Sequence, residues 1–212
     1  MKDELIKRIL SSVILIPIAL FFIIKGTFLF IFFITICFLV IAYEWHNMRK
    51  KKSYYYFGFL FLVFSFITIY QLRFNTDADY FWVLIIAIIC VATDIGGYIF
   101  GNLFKGPKIT KLSPNKTYSG MVGGYFLSLI FLSFSFQYFN LKFSVNWLFF
   151  VLLVSSVSQL GDITISYFKR LSKIKDTGKI IPGHGGLLDR IDGMIFVFPI
   201  VYLINQTGYL NV

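Results

Sequence analysis

Charged residues are scarce in this 212-residue chain, and acidic residues are the scarcest of them. Charged residues form 14% of the sequence and include only ten Asp and Glu, whereas 58% of the residues are hydrophobic. The sequence therefore has no soluble domain that would present a basic face, which argues against nucleic acid as a partner despite the formal net charge of +10. This composition is typical of an integral membrane protein.

Cysteine and proline are rare as well, with two and five residues. Cys37 and Cys90 both lie inside apolar stretches, where cysteine usually acts as a small buried hydrophobic residue, so neither a disulfide nor a thiol metal site is indicated. No linker rich in Pro, Gly or Ser and no clear internal repeat divides the sequence. We therefore interpret residues 1–212 as a single integral membrane domain.

Long apolar stretches, in contrast, are abundant. Stretches with about the length of a membrane-spanning helix cover residues 9–24, 27–46, 54–71, 80–103, 119–139, 145–168 and 188–206. The predicted fold is therefore all-α, a polytopic transmembrane helix bundle with about seven spanning helices.

Basic residues lie almost entirely in alternate loops. Of the 20 Lys and Arg residues, all but Lys25, Arg73 and Lys142 lie at the N-terminus or in every second loop. Because cytoplasmic loops hold most Lys and Arg, we expect a cytoplasmic N-terminus and an integral protein of a bacterial-type inner membrane. Residues 1–22 also resemble the start of a signal peptide, but no A-x-A-like cleavage site follows, and we expect the first helix to be retained.

Two acidic residues interrupt apolar stretches. Asp94 and Asp162 lie where an ionised carboxylate is costly unless it is paired or faces water, so both should point into a polar cavity. Asp162, Ser166 and Lys169 are spaced i, i+4, i+7 and share one helix face. The alternative for Asp162 is a salt bridge that only supports folding. Glu44, at the end of the second apolar stretch, is interpreted as an interfacial residue.

Unusual polar residues gather in the second half of the chain, residues 90–192, whereas residues 1–80 are N-terminal helices with plain loops. The densest part is residues 166–192, here called the signature segment. Its charged and histidine residues are Lys169, Arg170, Lys173, Lys175, Asp176, Lys179, His184, Asp189, Arg190 and Asp192. Ionised groups near a membrane are costly and tend to mark function, so the simplest ligand is a polyphosphate with its divalent metal.

The end of the signature segment has the residues that such a ligand requires. Asp189 and Asp192 are spaced i, i+3 at the start of the last predicted helix, so both carboxylates can face one metal ion. Mg²⁺ prefers one or two carboxylates together with phosphate oxygens and water. Gly185 and Gly186, beside His184, allow the backbone to approach a ligand closely.

The loop at residues 101–120 carries further candidates for phosphate binding. Ser113 and Thr117 offer hydroxyls, and Lys116 offers a point charge for phosphate oxygens. The loop is not a P-loop, because the GxxxxGK[ST] spacing is absent. Taken alone, it is a weak signal that is better explained as a basic cytoplasmic loop.

Taken together, these motifs resemble a known family. The pattern S-x-F-K-R-x-x-x-x-K-D-x-G-x-x-I-P-G-H-G-G-L-x-D-R-I-D at residues 166–192 is similar to the signature of the phosphatidate cytidylyltransferase family. The resemblance extends through D-x-G-G-Y-x-x-G at 94–101, S-P-x-K-T at 113–117, G-x-x-G-G at 120–124 and G-D at 161–162. The chain departs from many relatives at Tyr118-Ser119, where they have Trp-Glu or a similar pair, and at Ile165, where they have Glu.

The resemblance implies an enzyme that converts CTP and phosphatidate into CDP-diacylglycerol and pyrophosphate with Mg²⁺ as cofactor. Metal ligands would then be Asp189, Asp192, Asp162 and Asp94. Catalytic residues would be Lys169, Arg170, Lys175, Asp176, His184 and Arg190. Substrate would be bound by Ser113, Lys116, Thr117, Ser166, Gly185 and Gly186. His184 would bind the leaving pyrophosphate or transfer a proton.

Partners and alternatives follow from the same residues. CTP, phosphatidate and membrane lipid are the expected partners, and the site should lie at the cytoplasmic side, while formation of a homodimer stays open. The motifs read phosphate and nucleotide only, so a cytidylyltransferase for another lipid phosphate remains an alternative. A non-enzymatic transporter of phosphorylated lipid is another, although paired broken helices in two related halves are not evident. An inactive membrane scaffold is the third.

Overall fold

The computed structural model describes residues 2–48, 54–74, 80–110, 113, 116–139, 142–181, 183 and 185–208. This part of the chain is all-α, as predicted. The helices are α1 (Lys2–Lys25), α2 (Thr27–Met48), α3 (Tyr54–Phe74), α4 (Phe81–Phe104), α5 (Tyr118–Phe139), α6 (Val145–Leu171), α7 (Leu188–Ile191) and α8 (Met194–Gln206). Among the described residues, paired extended backbone is limited to isolated bridges at Lys108–Thr117 and Ile181–Gly185.

Five of these helices, α2 to α6, are long and apolar enough to cross a membrane. The apolar part of α1, Val13–Lys25, and the whole of α8 are shorter apolar helices. Five of the seven predicted spanning helices therefore have the length and apolar composition of a span, and the count of about seven stays a prediction because the other two apolar helices are shorter.

The prediction of one continuous helix over residues 188–206 is wrong. It is divided into α7 and α8 at Asp192 and Gly193. The Gly193 N–H donates to Oδ1 of Asp192 at 2.9 Å, so a side chain takes a place that a helix carbonyl would otherwise fill. The division also brings the backbone against α6, where a Cβ on Gly193 would lie 2.4 Å from Oγ of Ser158.

Helix α4 lies in the centre of the bundle and packs against α3, α5, α6 and α8. Its residues Trp82, Ile85, Ile86 and Ile89 are almost completely buried. Near the start of both helices, the rings of Trp82 and Trp147 stack with centroids 6.3 Å apart. Helices α4 and α6 therefore run side by side in the same direction, and their C-terminal halves approach the same end of the molecule.

Glycines bring α5 unusually close to α4. A Cβ on Gly96 would lie 2.3 Å from the carbonyl oxygen of Gly123, and a Cβ on Gly120 would lie 2.6 Å from that of Gly97. Small residues of this kind allow close backbone approach between membrane helices. The glycine motifs at 94–101 and 120–124 thus build a helix contact that places the 105–117 loop beside α4.

The C-terminal end of α6 is fixed to the end of α2. Oγ of Ser172 donates to the carbonyl oxygen of Met48 at 2.6 Å, and the rings of Trp45 and Phe168 meet edge to face at 5.4 Å. The chain then turns at Lys173, whose φ is 58°. This contact determines where the signature segment begins its return toward the bundle.

Arg73 performs a structural task away from this region. Its Nε–H donates to the carbonyl oxygen of Ile23 at 3.3 Å, and its guanidinium lies 5.9 and 5.4 Å from the ring centroids of Phe30 and Phe74. The side chain is buried and holds the C-terminal end of α1 against α3.

Candidate active site

A polar cleft of about 360 Å³ lies between the C-terminal halves of α4 and α6, the start of α5, the 105–117 loop and the signature segment. Predicted site residues that line it are Asp94, Lys116, Thr117, Asp162, Lys169, Asp176, Asp189, Arg190 and Asp192. The prediction that Asp94 and Asp162 face a polar cavity is therefore confirmed. Residues separated by almost a hundred positions in sequence meet in one place.

An ion pair between Lys116 and Asp162 joins the loop to α6 across the cleft. Their side chains are 23% and 27% exposed, so the pair remains partly accessible. Ser166 donates its hydroxyl to Oδ1 of Asp162 at 3.3 Å, which agrees with the i, i+4 spacing seen in the sequence. The Lys116 charge is thus held at the cleft by Asp162.

A second ion pair, between Lys169 and Asp189, joins α6 to the signature segment. Nζ of Lys169 lies 2.8 Å from Oδ1 of Asp189. Oδ2 of Asp189 accepts the N–H of Thr177 at 2.8 Å and that of Gly186 at 3.0 Å. The carboxylate is 5% exposed, with both oxygens bound by the protein.

This environment favours the ionised form of Asp189, which lies outside the five spanning helices. Burial raises its pKa, but the hydrogen bonds from Lys169, Gly186 and Thr177 outweigh burial, so the pKa lies below its usual range. Asp189 is in the cleft, as predicted, and it holds the fold of the signature segment. Its metal role stays a prediction.

Asp192 has the opposite environment. It is buried in the turn between α7 and α8, and burial, followed by the negative charge of Asp162, raises its pKa well above the usual value. Asp94 acts in the same direction, while the positive charges of Lys169 and Lys116 oppose the shift. The carboxylates of Asp94, Asp162 and Asp192 therefore lie close enough at this end of the cleft to repel one another when ionised.

Carboxylate oxygens of Asp94, Asp162 and Asp192 suit a hard divalent cation that takes further oxygen ligands from phosphate and water. Within the described ranges, no three His, Cys, Asp or Glu side chains converge closely enough to hold a metal ion by themselves. The donor chemistry therefore fits Mg²⁺ that arrives with a phosphate ligand better than a closed all-protein metal site.

Several predicted residues lie beside the cleft and do not line it. Arg170 is exposed and donates to the carbonyl oxygen of Ile174 at 3.3 Å. Lys175 is exposed as well. Ser113 lies in the loop before α5, where its carbonyl oxygen accepts the N–H of Lys116 at 3.0 Å. Gly185 has a φ of 88°, which requires glycine. His184 lies outside the described residues, and its predicted role, like those of the others, stays a prediction.

The structure corrects the interpretation of Glu44 that was drawn from the sequence. It was expected at the membrane interface, but its side chain is completely buried and binds the signature segment. The criterion applied to Asp94 and Asp162, an acid at an apolar helix, would have selected it as well. Its position near a helix end concealed the contact, since the partner lies more than 130 residues away.

The inner end of the cleft contains polar residues that sequence reasoning missed. Thr93 donates its hydroxyl to Oγ of Ser155 at 2.9 Å, and Nε2 of Gln159 donates to the same oxygen at 3.4 Å. Gln159 and Thr93 both line the cleft. The available signal was their spacing, because Gln159 is three residues before Asp162 and Thr93 directly precedes Asp94.

The two departures from the family pattern have structural explanations. Oγ of Ser119 accepts the N–H of Gly106 at 3.3 Å and lies 3.0 Å from Oγ1 of Thr117, so Ser119 supports the loop. Ile165 is buried, with 2% of its surface exposed, in the hydrophobic core. Neither position lines the cleft in the described part of the chain.

Comparison with known proteins identifies the class to which this arrangement belongs. A sequence model of the Cytidylyltransferase family matches residues 6–80 and 53–207. The chain belongs to this family, and the resemblance inferred from the signature segment is confirmed.

Individual relatives carry a more specific name. Phosphatidate cytidylyltransferase of Rickettsia felis is 32% identical over 212 residues, covering 96% of this chain and 93% of the relative. The protein of the same name from Rickettsia bellii is 33% identical, with 96% and 92% covered. The one from Staphylococcus aureus strain COL is 41% identical over 127 residues, which cover 58% of this chain and 48% of the relative.

Proposed function

We propose that this protein transfers the cytidylyl group of CTP to phosphatidate, which forms CDP-diacylglycerol and releases pyrophosphate. The main observation in support of this proposal is the polar cleft between apolar helices. It is lined by three basic residues, Lys116, Lys169 and Arg190, and by three acidic residues, Asp94, Asp162 and Asp192. Relatives that match nearly the whole chain are named for this reaction. The mixture of charges suits a nucleotide, and the surrounding helices suit a lipid.

The chemistry requires positioning more than a protein nucleophile. A phosphate oxygen of phosphatidate attacks the α-phosphorus of CTP and forms a new P–O bond. The bond between that phosphorus and the oxygen bridging to the β-phosphate breaks, and pyrophosphate leaves with its electron pair. Holding two anionic reactants in line and neutralising their charge accounts for most of the catalysis in such transfers.

The cations of the cleft bring the two anions together. Lys116 and Lys169 are each paired with one carboxylate in this structure. Because a Lys ammonium has three N–H donors, each lysine can also bind an oxygen of an entering phosphate. Arg190, at the exposed edge of the cleft, offers a forked donor suited to phosphate oxygens. The substrate roles predicted for Arg170, Lys175 and His184 belong to the same proposal.

Mg²⁺ is the proposed cofactor. Asp94, Asp162 and Asp192 would each offer a carboxylate ligand, and phosphate oxygens and water would complete the coordination. All three residues line one cleft, and Asp162 and Asp94 both act on Asp192 electrostatically. Bound there, the ion supplies positive charge to the triphosphate oxygens and makes the α-phosphorus a better electrophile. Asp189, bound by Lys169 and two backbone N–H groups, orients the segment that carries Asp192.

The proposed site opens to the cytoplasm. Lys105, Lys108, Lys116 and Lys169 lie at the same end of the bundle as the cleft, and the bias of basic residues favours that end as cytoplasmic. CTP is then available on that side, and the acyl chains of phosphatidate remain among the apolar helices.

The proposal is tested by measuring pyrophosphate release from CTP by the purified, detergent-solubilised protein with a panel of lipids. Release is expected with phosphatidate and Mg²⁺, and it should stop on chelation and resume when Mg²⁺ is restored. Release with an isoprenoid lipid phosphate but not with phosphatidate would replace the proposed substrate. Absence of release with every lipid phosphate would contradict the proposed function.

A further inference from the structure

The Glu44 carboxylate connects α2 to the signature segment. Oε1 accepts the N–H of Leu187 at 2.9 Å, and Oε2 accepts the N–H of Leu188 at 2.8 Å. Oε2 also accepts the hydroxyl of Thr177 at 3.0 Å. The Glu44 residue is 0% exposed, so a buried negative charge is compensated here by three donors from one segment.

The segment is shaped around this carboxylate. A Cβ on Gly178 would lie 2.7 Å from Oε1 of Glu44, and a Cβ on Gly186 would lie 2.5 Å from Oε2. Any side chain at either position would have to displace the carboxylate. Glycine at these two positions therefore leaves room for the Glu44 carboxylate. This explains both glycines without a close approach of the backbone to substrate.

The same backbone is held from the side of the cleft by Asp189. Thr177 donates its hydroxyl to Glu44 and its N–H to Asp189. Gly186 donates its N–H to Asp189 and packs against Glu44. The two carboxylates thus bind the segment from opposite sides at Thr177 and at residues 186–188. Asp189 is also paired with Lys169, so the position of this backbone affects the position of Lys169.

We propose that Glu44 is a positioning residue for the reaction: it touches no substrate, but it fixes the backbone at Thr177 and at residues 186–188 so that Lys169, Asp189 and Arg190 keep their places in the cleft. The inference rests on the proposed function for its effect on turnover. Its structural part is independent, because the hydrogen bonds predict local order in the signature segment whether or not the substrate is known.

The experiment compares Glu44→Gln, Thr177→Val and the double variant with the unmodified protein in detergent. Glu44→Gln keeps the size of the side chain but presents an amide N–H₂ to backbone donors, and Thr177→Val removes one hydroxyl donor at constant shape. Arg73→Gln is the matched control, since it alters a buried charge that holds α1 far from the cleft.

Two quantities are measured: hydrogen exchange of peptides covering residues 176–190, and kcat and KM for both substrates. Glu44→Gln is expected to accelerate exchange in those peptides and to lower kcat by about 10- to 100-fold, with a smaller change in KM, because displacement by about 1 Å has such effects. Thr177→Val should act in the same direction more weakly. Effects on kcat should not multiply in the double variant, because both changes act through one contact.

Arg73→Gln should lower thermal stability while leaving kcat and the exchange of residues 176–190 unchanged. Unchanged exchange in folded Glu44→Gln protein would overturn the proposal, and so would unchanged kcat despite faster exchange. If Glu44→Gln does not fold, Thr177→Val decides by the same two measurements. An unmodified protein without activity toward phosphatidate would contradict the proposed function, while the exchange data would still test the contact.

Discussion

At the scale of single residues, the charge of the cleft is arranged in pairs with an acidic remainder. Lys116 is paired with Asp162, and Lys169 is paired with Asp189. Asp192 lies near the first of these carboxylates and near Asp94, with no described ion pair of its own. The acidic remainder is what a divalent cation would neutralise, so Asp192 is the most informative single position.

Asp192→Asn is expected to lower turnover by about 100-fold or more, because it removes a proposed ligand of the Mg²⁺ that would neutralise the reacting phosphates. Folding should survive, since the change removes a buried negative charge close to other carboxylates and keeps the side-chain shape. Turnover is measured alongside thermal stability and elution from a sizing column. Near-normal turnover would exclude Asp192 from the proposed set of metal ligands.

Lys169→Ala is expected to raise KM for at least one of the two phosphate substrates by about tenfold, the value of a hydrogen bond to a charged group. Saturation curves for CTP and for phosphatidate provide the measurement. Lys142→Ala, which removes an exposed lysine away from the cleft, is the control. Identical curves for Lys169→Ala and the unmodified protein would show that the lysine charge only orders Asp189.

At the scale of helices, the contact between α4 and α5 explains why glycine recurs in both. The sequence motifs were quoted as a resemblance, without a physical reason for each glycine. In the structure, the backbones approach so closely that Gly96 and Gly120 each face a carbonyl oxygen of the partner helix. The cleft depends on this spacing, because Asp94 lies on α4 and Thr117 directly precedes α5, and both residues line the cleft.

Gly96→Ala should destabilise the protein, because the new Cβ would lie 2.3 Å from the carbonyl oxygen of Gly123 and the helices would have to separate. Overpacking of this kind costs about 1–3 kcal/mol. The neighbouring change Gly97→Ala is the matched control, since its Cβ would lie 3.7 Å from the nearest atom. Thermal unfolding in detergent distinguishes the two, and equal melting temperatures would contradict the close packing of α4 and α5.

The helices themselves were largely predictable from sequence, and their junctions were not. Apolar stretches such as 27–46 and 145–168 correspond to α2 (Thr27–Met48) and α6 (Val145–Leu171) within a few residues, because burial in lipid demands continuous apolar length. The division at Asp192 and Gly193 had a local signal in the Asp-Gly pair, but the apolar residues that follow it favoured one continuous helix. Glu44 was missed for a different reason: its donors are brought to it only by folding.

At the scale of the whole molecule, basic residues are concentrated at one end of the bundle. Lysines of the 105–117 loop and the signature segment lie at one end, and the C-terminal halves of α4 and α6 lead to that end. The family resemblance implied which residues would share a site, and Asp94, Lys116, Asp162 and Asp192 all line the cleft. It could not predict their pairing, because an ion pair depends on side-chain positions set by distant helices.

Orientation can be tested with thiols introduced at positions 108 and 142 by Lys108→Cys and Lys142→Cys, in a background with Cys37→Ala and Cys90→Ala. Both lysines are exposed and belong to loops on opposite sides of the predicted topology. A membrane-impermeant maleimide should label position 108 only in inverted vesicles and position 142 only in right-side-out vesicles. The reverse pattern would contradict a cleft that opens to the cytoplasm.

The central claim, transfer of the cytidylyl group within the cleft, is tested most directly by following separate labels on the α- and γ-phosphates of CTP. With phosphatidate and Mg²⁺, the α-label should appear in the lipid and the γ-label in pyrophosphate, in equal amounts. Both transfers should be lost together in Asp192→Asn. Appearance of the γ-label in lipid, or of neither label in product with folded protein, would contradict the account.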